Sequence, residues 1–284
     1  MDKTGGDILE ALVFRDRDGI CAARSLTHLY LRPHPALRPF VAHYTLCLSA
    51  PPVPPPPAPG TLTLIPDASG CLVFTLGEGL LDARAYGPTT RTVTVTNDLG
   101  SGLPRFFVEF QPGGLRAFTG VPQWELADRV WPLAQLSPGL YALAETCFLR
   151  SPDLDGFVQA LDRGLLALCP ALSPAVPLLD HLAASPCSAP AGALAQETGY
   201  SIRHLSRLLR TEAGLGVHAF VRVLRINRAV RCLQAGAPSL TRLAQELGYF
   251  DQAHFIHDFK AVCGVSPGRY RAGMSAFYKE PLKL

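Results

Sequence analysis

The sequence predicts an α+β protein: a small antiparallel β-barrel or sandwich, a helical connector and an all-helical C-terminal domain. Three observations support this prediction. Short runs rich in Val, Thr, Phe and Tyr, separated by Pro, Gly and Asp, fill residues 26–110. A Leu- and Ala-rich stretch with helical spacing follows them. The C-terminal third then repeats one phrase almost unchanged, as LAQETGY at Leu194–Tyr200 and LAQELGY at Leu243–Tyr249.

Length and composition indicate a globular protein. The 284 residues are enough for two domains, and the 48% apolar and 17% charged residues are a globular balance. No apolar run approaches the roughly 18–20 residues that span a bilayer, and the N-terminal segment lacks the uncharged core of a signal peptide. The eight cysteines form no CxxC pair, which disfavours a zinc ribbon or a disulfide framework. We therefore expect a cytoplasmic protein with no membrane partner.

The net charge of +3 is divided unevenly along the chain. Residues 187–284 contain 13 Lys and Arg against 6 Asp and Glu, whereas residues 1–186 contain 13 against 17. A basic domain attached to a mildly acidic body indicates that only the C-terminal third meets a polyanion.

The N-terminal half contains seven predicted strands. Residues 1–25 precede them as a loosely structured extension, and the predicted barrel spans residues 26–135. The proline run at Pro51–Pro59 is predicted to be a polyproline-II loop, because proline neither donates to a sheet nor fits inside a helix. A docking peptide is the alternative for that run. The seven segments are THLYL, FVAHYTLCL, TLTLIP, CLVFTL, ARAYGP, TRTVTVT and PRFFVEF.

Residues 136–186 are predicted to be a helical connector. An apolar stripe runs along it at helical spacing, and prolines break it into pieces. If the barrel leaves this stripe uncovered, it becomes a natural dimer seam. The stripe includes Leu161, Leu165, Leu168 and Leu172.

Each copy of the repeated phrase ends in a Gly-Tyr turn and leads into a second helix, which is the pattern of a helix-turn-helix unit. After the first copy, Ser201 is the expected N-cap. The inward stripe of the following helix is Ile202, Leu205, Leu208 and Leu209. Its outward face carries Arg203, Ser206, Arg207 and Arg210. Outward arginines suit the major groove, where an arginine can donate a bidentate pair of hydrogen bonds to guanine. A solvent-exposed helix face without DNA contact is the simpler alternative.

After the second copy, Asp251 is the expected N-cap. Inward positions are Phe255, Phe259 and Val262, and outward ones are Gln252, Ala253, His254 and His257. One long helix with Phe220, Val223, Leu224 and Val230 on its apolar face is predicted to join the units. Two units fixed by one helix can enter successive major grooves about 34 Å apart. That arrangement explains why the phrase is written twice.

These residues resemble the C-terminal DNA-binding domain of the AraC/XylS family of transcriptional regulators. The resemblance covers roughly Ala189–Ala272, as LA…GYS…L.R.L, then G…F…R…RA…L, then L..LA.ELGY.D.A.F...FK...G.SP..YR. It implies that Arg203, Ser206 and Arg207 read bases in the first unit. It implies the same role in the second unit for Gln252, Ala253, His254 and His257, with Lys260 and Arg271 on phosphates. The family usually carries Arg where this chain has His257.

The N-terminal half is similar to a sensor-type domain found ahead of such regulators. The similar segments are RPHPALRPFVAHY, TLTLIPD, YGP and FFVEFQPGGLRAFTGVPQWELADRVWPL. The resemblance implies a small cupin-like barrel, and its pattern prefers glycine where this chain has Ala68. A barrel interior offers an apolar cavity for a small-molecule effector. Candidate lining residues are Tyr44, Asp67, Phe107, Glu109 and Trp124.

We expect no metal, no cofactor and no catalysis, because the histidines before residue 150 form no H-x-H cluster. The prediction is a sequence-specific transcription regulator that binds double-stranded DNA and a small-molecule effector. A homodimer is expected, because paired sites multiply specificity. RNA polymerase is a further partner that the sequence leaves open. Two alternatives remain: a barrel enzyme that the basic domain only localises, and a module whose helical domain binds a protein.

Overall fold

A computed structural model describes residues 13–24, 28–47, 61–76, 81–96, 103–169, 175, 178–179, 182, 191–236 and 239–272. Within these residues, an N-terminal β-domain and a C-terminal helical domain each bury apolar side chains. The predicted proline loop and the predicted domain boundary at 185–190 lie outside the described residues. No helix in the described part of the chain combines the length and the apolar character that crossing a membrane requires.

The seven predicted strand segments are all strands in the structure. Two further strands, the first and the last, were not predicted. The strands are β1 Cys21–Arg24, β2 His28–Leu31, β3 Val41–Cys47, β4 Thr61–Leu64, β5 Cys71–Leu76, β6 Leu81–Tyr86, β7 Val93–Thr96, β8 Arg105–Phe110 and β9 Val130–Pro132. Seven of them form one antiparallel sheet in the order β1-β2-β3-β8-β5-β6-β9, and β4 pairs with β7 in a second, two-stranded sheet.

The predicted closed barrel is not confirmed, because the main sheet does not close. The strands β1 and β9 lie at the two ends of its order rather than against each other. Strand β9 is only three residues long and ends in Pro132, which has no N–H to donate to a further strand. The domain is therefore an open antiparallel sheet with a small second sheet.

Alternation along the strands separates the main sheet into two faces. In β8, Phe106, Val108 and Phe110 are fully buried, whereas Arg105, Phe107 and Glu109 are half-buried. The Phe106 ring lies 5.0 Å from that of Phe157, so helices cover the fully buried face. We call the opposite side the half-buried face. Register places His43 against Glu109 there, and Thr45 against Phe107.

The first part of the predicted connector packs on the sheet, and Leu179 and Leu182 in its last part lie in a core shared with the C-terminal helices. The first part follows the short helix Leu133–Leu136 and contains the helices Pro138–Arg150 and Leu154–Leu168, whose apolar residues join the sheet core. Leu161 and Leu165 are buried in that core. The stripe offered as a dimer seam is thus covered by the chain's own sheet over this part. The helices of this domain are α1 Gly114–Thr119, α2 Gln123–Leu126, α3 Leu133–Leu136, α4 Pro138–Arg150 and α5 Leu154–Leu168.

The predicted loose extension is ordered where the structure describes it. Residues 13–20 dock on the N-terminus of α5: Arg15 N and Arg17 N donate to the Asp155 carboxylate at 2.8 and 3.1 Å. Strand β1 then extends the sheet by pairing with β2. The sequence did not indicate the docking on Asp155, because those hydrogen bonds join residues more than a hundred positions apart.

Asp153 caps α5, and its role predicts a pH dependence of stability. Its carboxylate accepts a hydrogen bond from Gly156 N at 2.9 Å and pairs with Arg17. The Gly156 amide, and after it the Arg17 guanidinium, lowers the pKa of Asp153. A depressed pKa stabilises the fold above the unfolded-state pKa of about 3.9, and this contribution is lost as the pH falls through the lower folded value.

We expect Asp153→Ala to lower the free energy of unfolding by about 1 kcal/mol near neutral pH, because the helix loses its N-cap. The difference from the wild type should shrink as the pH falls below about 4. Urea denaturation at several pH values measures it. A difference that grows towards acid pH would contradict this assignment.

The C-terminal domain consists of two helix pairs joined by one long helix. The first helix pair is α6 Ala191–Thr198 with α7 Ile202–Ala213, and the second is α9 Leu240–Glu246 with α10 Gln252–Cys263. Helix α8, Val217–Gln234, connects them as predicted, and α11, Pro267–Ala272, closes the described chain. All predicted inward residues of α8 and α10 are buried. In α7, Leu205 and Leu209 are buried, but Ile202 in the first turn is exposed.

Candidate nucleic-acid interface

Helix α7 is fixed at both ends by the residues that the sequence indicates. The Ser201 hydroxyl accepts a hydrogen bond from His204 N at 3.2 Å, which satisfies a first-turn amide. At the other end, Gly214 adopts the left-handed conformation with φ +77°, and its N–H donates to Arg210 O at 3.1 Å. Arg203, Arg207 and Arg210 are exposed along the helix between these caps. Their guanidinium groups are available to phosphates and to base edges.

Ser206 faces a neighbouring helix rather than open solvent. It is half-buried, and its hydroxyl accepts a hydrogen bond from Val217 N at 3.4 Å, at the start of α8. An accepting hydroxyl keeps its own proton to donate, so contact with DNA remains compatible with this position. The predicted base-reading role of Ser206 stays a prediction.

Two side chains beside the arginines were not singled out from the sequence. The Tyr200 ring stacks on His204 with ring centroids 4.7 Å apart, and His204 Nδ1 lies 3.3 Å from an Arg207 guanidinium nitrogen. These contacts restrict the rotamers of Arg207, which lowers the entropy lost when it binds. A signal was present: in both copies, a histidine follows the turn tyrosine within one helical turn or slightly more.

Helix α10 repeats this construction with one change. The Asp251 carboxylate caps it by accepting from His254 N at 2.7 Å, and Gly264 ends it with φ +73°. Ala253, His254, His257 and Lys260 are exposed, as predicted. Gln252 is half-buried, and its carbonyl oxygen accepts a hydrogen bond from the Thr241 hydroxyl at 2.6 Å. Because that oxygen is engaged, the amide nitrogen of Gln252 is the group best placed to contact DNA.

The change is one extra residue at the turn. Ser201 follows Tyr200 directly in the first pair, whereas Phe250 stands between Tyr249 and Asp251 in the second. The Phe250 side chain is 93% exposed. Aligning the two copies of the phrase reveals this insertion from sequence alone.

The connecting helix is locked to the second helix pair by an aromatic contact. The Arg225 guanidinium lies over the Tyr249 ring, 5.5 Å from its centroid. Arg222, Arg228 and Arg231 are exposed on α8, and Arg271 is exposed on α11. The exposed arginines of this surface lie mainly on α7 and α8, and Lys260 is the exposed cation of α10.

The five residues predicted to line an effector pocket lie in different places. Tyr44 is buried on the helix-covered face, and its hydroxyl donates to Asp162 at 2.6 Å. Asp67 sits in a turn, where its carboxylate accepts from Ser69 N and Gly70 N at 3.0 and 3.2 Å. Trp124 is 56% exposed on α2. Only Phe107 and Glu109 come together, on the half-buried face.

That face also carries aromatic and polar side chains that sequence reasoning passed over. The rings of His28 and Tyr30 stack at 6.2 Å, and Tyr30 lies 5.9 Å from His43. Burial lowers the pKa of His28, which favours the neutral imidazole. The alternation of β2 and β3 was the available signal for this cluster. Among the described residues, no three His, Cys, Asp or Glu side chains converge as a metal site would require; metal-free sensing stays a prediction.

Two family models match the chain. Residues 194–273 match a helix-turn-helix domain, and residues 30–132 match a domain of unknown function (DUF6597). The first match covers both helix pairs and the helix between them.

Curated relatives agree with the first match. The HTH-type transcriptional regulator GlxA of Rhizobium meliloti is 37% identical over 79 residues, or 28% of this chain and 24% of that protein. The arabinose operon regulatory protein of Escherichia coli is 32% identical over 94 residues, or 33% of this chain and 32% of that protein. The chain therefore spans about a quarter to a third of these two relatives.

Solved structures similar to this chain include regulator domains. The C-terminal domain of AraT, a response regulator from Geobacillus stearothermophilus, is 25% identical with a TM-score of 0.34, over 38% of this chain and 93% of that one. ToxT from Vibrio cholerae is 11% identical with a TM-score of 0.41, over 77% of this chain and 95% of that one.

The C-terminal region is thus a helix-turn-helix domain of the kind found in transcriptional regulators. Its type is AraC/XylS, and the resemblance drawn from the sequence is confirmed.

Proposed function

We propose that the protein is a sequence-specific transcription regulator whose two helix pairs act as helix-turn-helix units on double-stranded DNA. One observation carries the proposal: two capped helices with exposed basic and polar faces, α7 and α10, are joined by a single continuous helix. Such a rigid joint suits reading in successive major grooves. We assign base reading to Arg203, Ser206, Arg207, Gln252, Ala253, His254 and His257, phosphate contact to Lys260 and Arg271, and a DNA contact of either kind to Arg210.

Gel-shift titration against a duplex selected from random DNA tests this function. We expect specific binding with Kd of about 10 nM or tighter near physiological salt, weakening steeply as salt rises, because bound phosphates release counterions. A flat salt response would favour the alternative in which the helical domain binds a protein. Turnover of a metabolite by the full chain would favour the enzyme alternative.

Arg207→Ala and Lys260→Ala should distinguish base reading from phosphate contact. Loss of Arg207 should cost about 1–3 kcal/mol on the selected duplex and little on random DNA, because a forked base contact is lost. Loss of Lys260 should weaken both alike and reduce the log–log salt slope by roughly one. Competition titrations of both variants at several salt concentrations measure this. If Arg207→Ala lowers both affinities by the same factor, α7 does not read bases as proposed.

We further propose that the N-terminal domain binds a small, uncharged or weakly polar effector without a metal, on the half-buried face beside Phe107 and Glu109. The grouping of Tyr30, His43 and Phe107 supplies rings for stacking, and Glu109 supplies an acceptor. Thermal-shift screening of metabolite pools with the wild type and with Phe107→Ala tests the site. A ligand that stabilises both proteins equally would place the site elsewhere.

The proposal includes a cytoplasmic homodimer, with RNA polymerase as a further partner. Paired sites support the dimer, because one monomer covers a single pair of grooves. The connector stripe gives little support, since the sheet buries Leu161 and Leu165. Sedimentation of the full chain tests it: a monomer at tens of micromolar would rule out the dimer.

A further inference from the structure

The two segments that extend the small β4–β7 sheet end between the two helix pairs. Strands β4 and β7 pair up to Leu64 and Val93. Beyond this pair, the chain continues as residues 65–68 on one side and 88–92 on the other. Thr89 N donates to Asp67 O at 2.7 Å, and Asp67 N donates to Thr89 Oγ1 at 2.9 Å. We call these two hydrogen-bonded segments the bridge.

One end of the bridge meets the first helix pair. Ala68 is fully buried within the apolar core that contains Leu209 and Phe220. Pro88 lies against the C-terminal cap of α7: a Cβ placed on Gly214 would be 2.8 Å from Pro88 Cγ and 3.0 Å from Gln123 O. Only glycine fits there, both for its φ of +77° and for this close approach.

The other end of the bridge meets the second helix pair. Ile65 packs against the core that contains Phe255 and Phe259. Thr92 lies beside the C-terminal cap of α10, with its Oγ1 3.6 Å from where a Cβ on Gly264 would stand. Each segment of the bridge therefore contacts both helix pairs, and its two ends meet equivalent caps.

Hydrogen bonds hold the bridge to its own domain. Thr90 N and Thr90 Oγ1 donate to the Asp128 carboxylate at 2.9 and 2.7 Å, and Asp128 N donates to Pro88 O at 2.9 Å. Asp128 keeps a positive φ of 57°, which a non-glycine residue adopts only when its surroundings impose it. These hydrogen bonds fix the bridge to the β-domain.

We propose that the bridge is a positioning element that fixes the separation and orientation of α7 and α10, with Ile65, Thr92 and Asp128 as its positioning residues. Helix α8 already joins the two pairs, because its first half packs in the core of the first pair and its second half in that of the second. The contacts of the bridge at both C-caps add a second link between the pairs. The next step rests on the proposed function. On DNA, the bridge sets how many base pairs separate the two half-sites, each of which is read by one helix pair.

The experiment has one readout that needs no DNA. Spin labels are introduced as noncanonical residues at Gln196 and Gln245, which are exposed and occupy the same place in the two copies of the phrase. The distance between them is measured by pulsed electron resonance in the full chain. The wild type should give one narrow distribution, and the double variant Ile65→Ser/Thr92→Ala should broaden it about twofold. The conservative Ile65→Val/Thr92→Ser pair should restore the narrow form.

Asp128→Gly is a second variant that touches neither helix pair, and glycine accepts the positive φ there. It should also broaden the distribution, whereas Asp128→Asn, which keeps an acceptor for Thr90 N, should not. Unchanged distributions in both disruptive variants, with helical content retained by circular dichroism, would overturn the proposal.

The second readout uses duplexes whose half-site spacing is changed by one base pair. The wild type should lose about tenfold in affinity and the variants much less. If the wild type bound no DNA, the proposed function would be refuted. The distance measurement would still decide whether the bridge positions the two helix pairs.

Discussion

Phe259→Ala is expected to lower the free energy of unfolding of the second helix pair by about 3–5 kcal/mol, because a fully buried aromatic ring leaves a cavity. The ring sits between Phe255 and Tyr270, with both ring centroids 5.7 Å away. These contacts hold α10 against α11. Loss of the ring should therefore also weaken DNA binding through the second pair. Hydrogen exchange of the α10 amides measures the local stability directly.

His257→Ala is the matched control on the same helix. Its side chain is exposed, so the expected change in stability is within about 0.5 kcal/mol. If the two variants lowered α10 protection equally, the assignment of inward and outward faces on this helix would be incorrect.

Glu212→Ala is expected to cost about 3 kcal/mol, because it breaks an ion pair between the two domains. Both carboxylate oxygens accept from Arg116, at 3.0 and 3.1 Å. The Glu212 side chain is only 7% exposed and that of Arg116 is 31% exposed, so the lower end of the range for buried pairs applies. Urea denaturation of the full chain measures the cost. A double-mutant cycle with Arg116→Met isolates the energy of the ion pair itself, because Arg116→Met removes the guanidinium charge that Glu212→Ala leaves without its carboxylate partner.

Glu246→Ala provides the exposed comparison. Its partner Arg242 lies 2.8 Å away on the same helix, with both side chains more than half exposed. Solvent screens that pair, and the expected cost is below about 0.5 kcal/mol. An equal cost for Glu212 and Glu246 would show that the contact between the domains adds nothing to stability.

Local pattern was enough to predict strands β2 to β8, the helices of the C-terminal domain and most of their outward residues. Runs rich in Val, Thr, Phe and Tyr between turn residues marked strands β2 to β8, and helical spacing placed Phe255 and Phe259 inward and His257 outward. Caps followed from residue type, since Ser201 and Asp251 accept from amides three positions later. Each of these features depends on residues within one or two turns of each other.

Features that depend on distant contacts were missed. Nothing near Leu161 shows that it faces a sheet, and the docking of Arg17 on Asp153 joins distant parts of the chain. Ala68 stands where the pattern of the sensor-type domain prefers glycine. In the structure its methyl group fills the core of the first helix pair. The Thr241–Gln252 bond likewise depends on how two helices meet.

The extra residue Phe250 makes the two helix pairs non-equivalent. Helix α10 starts one position later than α7 after the shared Gly-Tyr turn, and a different cap, a different first turn and a large exposed ring precede it. Because the two helix pairs differ, the C-terminal domain has two distinguishable ends. Under the proposed function, the stretch of DNA read by one copy has two different ends, and that copy lies along it in one direction. A single copy could in this way mark which side of its site lies upstream.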